Sequence, residues 1–162
     1  MSNATADLVQ QLIRNECVND GSVESGNETR NVAVLETLFN GHNLEVGRFG
    51  DQPDRTSLVV RMRGREPDAP VLLLQGHTDV VPATAQDWEH DPFGGEIING
   101  VVHGRGAVDM FNITASMAIA MANLSREGFV PRGDVIFAAV ADEEAGGNLG
   151  AGYLVQNHGD LV

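Results

Sequence analysis

The sequence predicts an α/β protein: a mixed, mostly parallel sheet with helices on both faces. Apolar residues recur at helical spacing in several segments, and continuous apolar runs of strand length lie between them. The two kinds of segment alternate along the chain, as strands and connecting helices do in a sheet of this kind.

Leu8, Val9, Leu12, Ile13 and Cys17 mark the apolar face of a first helix. A second helix fits Glu28 to Phe39, with Val32, Leu35 and Phe39 inward and Asn40-Gly41 as its stop. "SLVVRMR", from Ser57, partly alternates, as a half-exposed strand does. Val71 to Leu74 are continuously apolar, the pattern of a central strand covered on both faces. "EIINGVVH" reads as a hairpin turning at Asn99-Gly100. From Met110 to Leu124, Ala, Met and Ile build a buried helix that Gly128 closes. "DVIFAAVA", from Asp134, is a second central strand, and "NLGAGYLVQNHG" a last helix capped by Asn148. The polar stretches 18–28 and 63–69 are loops. One domain over 1–162 is expected. A sheet of this kind normally continues beyond such a helix, so the expectation is a fragment.

Acids outnumber bases 23 to 10, for a net charge of −13. That field repels nucleic acids and anionic membrane surfaces, so neither is expected as a partner, and it suits cation binding. Every basic residue is arginine, which excludes a Schiff-base lysine or a phosphate-loop lysine. One cysteine forms no intrachain disulfide, and no basic-then-apolar leader opens the chain; a cytoplasmic location is expected. No apolar run reads as long enough to span a bilayer.

Three short stretches carry chemistry. In "VLLLQGHTDVVP", His77 and Asp79 follow a buried strand, and residues two apart in extended chain face the same side. An imidazole is a good ligand for zinc-like metals, and a neighbouring carboxylate can fix its tautomer. The plain alternative is a turn in which Asp79 caps a backbone group. In "GRGAVDM", Asp109 stands at the start of the apolar helix, where it either caps that helix or serves a cation. In "VIFAAVADEEAGG", Asp142, Glu143 and Glu144 end a buried strand. Three adjacent acids repel unless a cation or water intervenes. Adjacent side chains diverge, so Glu143 and Glu144 can divide metal binding and proton transfer; a solvated acidic loop is the other reading.

Together, "LLLQGHTDVVP", "DWEHDPFGGEIINGVVHGRGAVDM" and "ADEEAGG" resemble the acetylornithine deacetylase, succinyl-diaminopimelate desuccinylase, aminoacylase and carboxypeptidase G family of co-catalytic zinc hydrolases. The resemblance covers most of the chain from Leu58 onward, in order, spacing and flanking residues. It implies a zinc exopeptidase-like fold and two divalent metal ions, zinc first, with cobalt or manganese as alternatives. By the same resemblance His77 binds one ion, Asp109 bridges the pair and Glu144 binds the other. Glu143 is then the general base, Asp79 supports His77, and a cis peptide follows the bridging acid at Asp109-Met110. The implied substrate is a small N-acyl amino acid or short peptide with a free carboxylate.

Two departures from the family stand out. Phe111 occupies a position where the family usually has lysine. The family also supplies an additional acidic ligand and a late histidine ligand, beyond a lid and dimerisation domain; this chain contains neither those ligands nor that domain. The resemblance therefore implies the N-terminal part of a catalytic domain, inactive alone, from a protein that forms a homodimer through the absent domain. A natural short, non-catalytic module with weak metal binding or an interaction role is the alternative.

Overall fold

The computed structural model describes residues 3–161; Met1, Ser2 and Val162, at the limits of the domain expected over 1–162, lie outside the described residues. Helices α1 (Ala4–Arg14) and α2 (Thr29–Phe39) precede strands β1 (Glu45–Phe49), β2 (Ser57–Met62) and β3 (Leu72–His77). The small hairpin β4 (Glu96–Ile98) and β5 (Val101–His103) follows, then α3 (Asn112–Arg126), β6 (Val135–Val140) and α4 (Ala151–His158).

The main sheet has the order β1-β2-β6-β3. β1 and β2 pair antiparallel across a short connection, β2 and β6 pair antiparallel, and β3 and β6 pair parallel. The sheet is mixed, as expected, but two of its three pairings are antiparallel, which corrects the mostly parallel expectation. The physical reason is connectivity: β1 returns directly into β2, and only α3 provides a crossover long enough for parallel pairing. Helices cover both faces. Leu58, Val60, Met62, Phe137 and Ala139 pack under α1, α2 and α3. Val59, Ile136, Ala138 and Val140 face Leu154 of α4.

This layering revises several strand and helix readings. β2 is buried along most of its length because both faces are covered, rather than half exposed. β3 is the outer strand of the described sheet, with Leu72 at 54% and Leu73 at 42% exposure, where a central strand was expected. β6 is central, between β2 and β3. Cys17 lies past the end of α1, buried all the same. Gly150, not Asn148, precedes α4. Strand β1 carries no apolar run and is placed by its pairing with β2.

The stretch Ala107–Arg126 is long and apolar enough to cross a membrane by length and composition, contrary to the sequence expectation. Its chain is broken at Asp109 and Met110, which have non-helical dihedrals, and α3 buries Ala115, Ala118, Met121 and Ala122 in the core. The small side chains that raise its hydropathy let it lie close to the sheet. At Gly76, an added Cβ would collide with Thr114 of α3.

Two predictions follow from this packing. Gly150→Ala should destabilise the fold by ~1–3 kcal/mol in urea denaturation, because the new Cβ would overlap the Ala141 carbonyl oxygen. Burial pushes the Cys17 thiol from 9.0 to about 12. An acid raised on folding favours the folded state below its unfolded value of 9.0, and that contribution is lost as pH climbs toward about 12. Iodoacetamide at pH near ~8 should therefore label Cys17 only in unfolded protein, as read by mass spectrometry across a urea series.

Candidate metal centre

Parallel pairing of β3 and β6 brings their C-terminal tips side by side: His77 is in register with Val140, the residue that ends β6. The two motifs that end these strands therefore open on the same edge of the sheet, where this class of fold carries its ligands. α3 is tied to that edge by Thr114, whose hydroxyl donates to the His77 carbonyl at 3.1 Å. Just before α3, Asp109 projects with its side chain 76% exposed. It sits in a kink with φ −117° rather than in the helix, and the Asp109-Met110 peptide is cis. Asp109 is thus not the first residue of α3, which begins at Asn112.

Ligand atoms of His77, Asp109 and Glu144 lie within 4.8 Å of one another. His77 Nε2 stands 3.0 Å from Asp109 Oδ1 and 3.8 Å from Glu143 Oε2. Its Nδ1 stands 3.0 Å from the Asp79 backbone carbonyl, which can only accept, so Nδ1 donates and Nε2 is left facing the acids. Burial alone would lower the His77 pKa. The Asp109 hydrogen bond, the Asp79 carbonyl and the charges of Asp79 and Glu143 outweigh it and hold the imidazole above its usual range. Glu144 is also raised, first by burial and then by the negative charges of Asp109, Asp79 and Glu143, which together outweigh the lowering by His77. Carboxylates held this close to one another gain from a cation between them.

Asp79 does two jobs. Its backbone carbonyl orients His77, while its fully buried carboxylate accepts from the Glu143 and Glu144 amides at 3.2 and 3.0 Å. Asn19 Nδ2 donates to the same carboxylate at 2.8 Å. Asp79 Oδ1 is 3.6 Å from His77 Nδ1. Asp142 does not share the cluster with its neighbours. It turns inward, 5% exposed, and meets Arg55 at 2.7 Å, while Glu143 stays 52% exposed at the cleft.

The donor set fits a divalent metal of the zinc type: one imidazole with its tautomer fixed from behind, and two carboxylates from separate elements. His77, Asp109 and Glu144 could hold such an ion, with Glu143 beside them and Asp79 behind. Sequence reasoning missed Asn19, Glu28, Arg55 and Asp142 as supports. Glu28 reads as a helix start, and its partner Arg55 is 27 residues away, so no local spacing links them. Phe111, at the lysine position of the resembling family, is buried against Gly106 and Val80; a Cβ at Gly106 would come within 2.7 Å of its ring. A lysine would bury its charge in that pocket.

This α/β fold is one that solved peptidases share. The chain superimposes on human carnosine dipeptidase 1 with a TM-score of 0.77 at 20% identity, over 96% of this chain and 35% of that one. It also superimposes on an M20 family metallo-carboxypeptidase from Sulfolobus solfataricus with a TM-score of 0.76 at 17% identity, over 100% of this chain and 36% of that one. Residues 73–161, more than half of the chain, match the profile of peptidase family M20/M25/M40, and the chain belongs to that family. It is 51% identical over 143 residues to a succinyl-diaminopimelate desuccinylase of Methylobacterium nodulans, covering 85% of this chain and 34% of that protein. It is 37% identical over 114 residues to the enzyme of that name from Rhodopseudomonas palustris, covering 68% of this chain and 30% of that protein. The chain thus spans about a third of the length of these relatives.

Removing the Asp79 carboxylate strands two amides and the Asn19 side chain. Asp79→Ala should lower zinc affinity of the complete gene product by ~10–100-fold, as measured by calorimetric titration.

Proposed function

We propose that the protein carrying this chain is a two-metal amidohydrolase that cleaves small N-acyl amino acids or short peptides with a free carboxylate. The observation that supports this most is the convergence of His77, Asp109 and Glu144, which are remote in sequence, at the tips of two adjacent strands. In this reading His77 and Glu144 would each hold one divalent ion and Asp109 would serve both. Zinc is the first choice, with cobalt or manganese as alternatives. A bound metal pair would supply polarisation of the scissile carbonyl and a lowered pKa for the attacking water.

The chain's own residues do the rest. Glu143, exposed beside His77, takes a proton from the attacking water and returns it to the leaving amine. Asp79 holds the Glu143 and Glu144 amides, so the two side chains diverge in fixed directions, one to the proton and one to the cation. Asp109, open to solvent, is accessible to both ions and substrate.

The names of the relatives put N-succinyl amino acids first among substrates to test, and those of the structural neighbours add dipeptides. Each ion would draw two protein ligands from this chain, whereas a catalytic zinc takes three plus water, so this chain alone should turn over poorly. The remaining ligands, and a homodimer interface, are assigned to the part of the protein outside it. The reading places the protein in the cytoplasm, where Cys17 stays a thiol.

Glu143→Ala in the complete gene product should lower kcat for an N-succinyl amino acid by ~10²–10⁴-fold while metal content by mass spectrometry stays unchanged. Turnover at the unaltered rate would remove Glu143 as the base. Metal binding with no turnover of any N-acyl amino acid or dipeptide would favour the non-catalytic module instead.

A further inference from the structure

Five acidic or basic side chains are buried among the described residues: Glu28, Arg55, His77, Asp79 and Asp142. Two of them, Arg55 and Glu28, touch none of His77, Asp109 and Glu144. Arg55 Nε and Nη2 grip the Glu28 carboxylate at 2.8 and 3.0 Å, and Nη2 also reaches Asp142 Oδ1 at 2.7 Å. Glu28 Oε1 accepts from the Asp142 amide at 3.0 Å, so Asp142 is held by both its side chain and its backbone.

Asp142 is the hinge of the acidic tip. Its φ of 64° lies in the left-handed region, which aspartate and asparagine enter more readily than other non-glycine residues, and which is held where the surroundings fix it. Its Oδ2 accepts from the Leu149 amide at 3.0 Å, and its carbonyl accepts from Ala145 and Gly147, which closes the 142–149 loop. Asn19 Nδ2 donates to Asp79 at 2.8 Å and to Asp142 at 3.3 Å, joining the two carboxylates that flank the tip.

We infer that Arg55 is a positioning residue for the metal centre: by clamping Asp142 against Glu28, it fixes the direction in which Glu143 and Glu144 leave the end of β6. This rests on the reading of His77, Asp109 and Glu144 as metal ligands. Arginine is required rather than lysine because one planar fork must serve Glu28 and Asp142 at once. Without the clamp, Asp142 relaxes from its left-handed dihedral and the Glu144 carboxylate drifts from His77 and Asp109. A purely structural Arg55 would alter only the stability of the fold.

The test uses Arg55→Lys in the complete gene product, which keeps the charge and loses the fork. Cobalt(II) affinity is read by visible absorption, and kcat and KM with an N-succinyl amino acid. Folded R55K should bind cobalt ~10–100-fold more weakly, with kcat lowered by a similar factor and KM little changed. Folded R55K that matches the unaltered protein in cobalt affinity and kcat overturns the inference. Absence of cobalt binding in the unaltered protein would instead remove the metal-centre reading.

Amide exchange without metal then decides the role of Arg55 independently. The Glu143 and Glu144 amides should be protected in the unaltered protein and lose at least about tenfold of that protection in R55K; equal exchange in the two overturns the inference. Should R55K not fold, Asp142→Asn keeps the shape and the tolerance for positive φ while weakening the hold of Arg55. It should shift cobalt affinity in the same direction, and an unshifted affinity overturns the inference. Should neither variant fold, exchange in the unaltered protein decides: Glu143 and Glu144 amides as fast as those of the exposed Val23 and Glu24 overturn it.

Discussion

A buried carboxylate that serves two backbone amides and one side-chain amide at once organises this protein. Asp79 lies fully inside the structure, just past the end of β3, and its two oxygens accept from Asn19 and from the amides of Glu143 and Glu144. An unpaired buried carboxylate is costly, so the chain segments that supply those donors are not free to wander. The same residue turns its carbonyl toward His77 Nδ1. One side chain and one carbonyl thus hold the imidazole and the acidic tip in a single frame.

The rest of the interior extends that frame. Of three buried carboxylates, Glu28 and Asp142 share the one buried guanidinium, while Asp79 is held by Asn19 and the Glu143 and Glu144 amides; negative charge is thus in excess around the strand tips. Against the lowering by burial, the Asp109 hydrogen bond, the Asp79 carbonyl and the charges of Asp79 and Glu143 raise His77, while Glu144 is raised first by its burial and then by Asp109, Asp79 and Glu143. A cation at the cleft relieves the same imbalance, so the electrostatics that make the metal-free site awkward are those that would make it bind.

Packing sets where this charge can sit. The small side chains of α3, with Gly76 on the sheet, let the helix lie close enough for Thr114 to hold the His77 carbonyl. The segment at 17–19 bonds to Val80 on both sides, through Cys17 and Asn19, and so carries Asn19 under the acidic tip. The apolar core therefore acts on the site through distance: it fixes how near the helix, the N-terminal segment and the two strand tips come to one another.

The sequence by itself determined the periodic segments and their chemistry. Helices α1, α2 and α3, the Asn99-Gly100 hairpin and the central strand β6 were legible because local apolar spacing and turn residues specify them. His77, Asp109 and Glu144 were legible as a set because their flanking motifs resemble one family. Only the tertiary structure decided that β3 is an outer strand, that β1 and β2 run antiparallel to their neighbours, and that Asp142 turns inward while Glu143 stays out. An apolar run reads the same whether one neighbour or two will cover it. The pairing of Glu28 with Arg55, and of Arg55 with Asp142 a further 87 residues along, leaves no local periodicity, because it exists only once the sheet has brought those segments together.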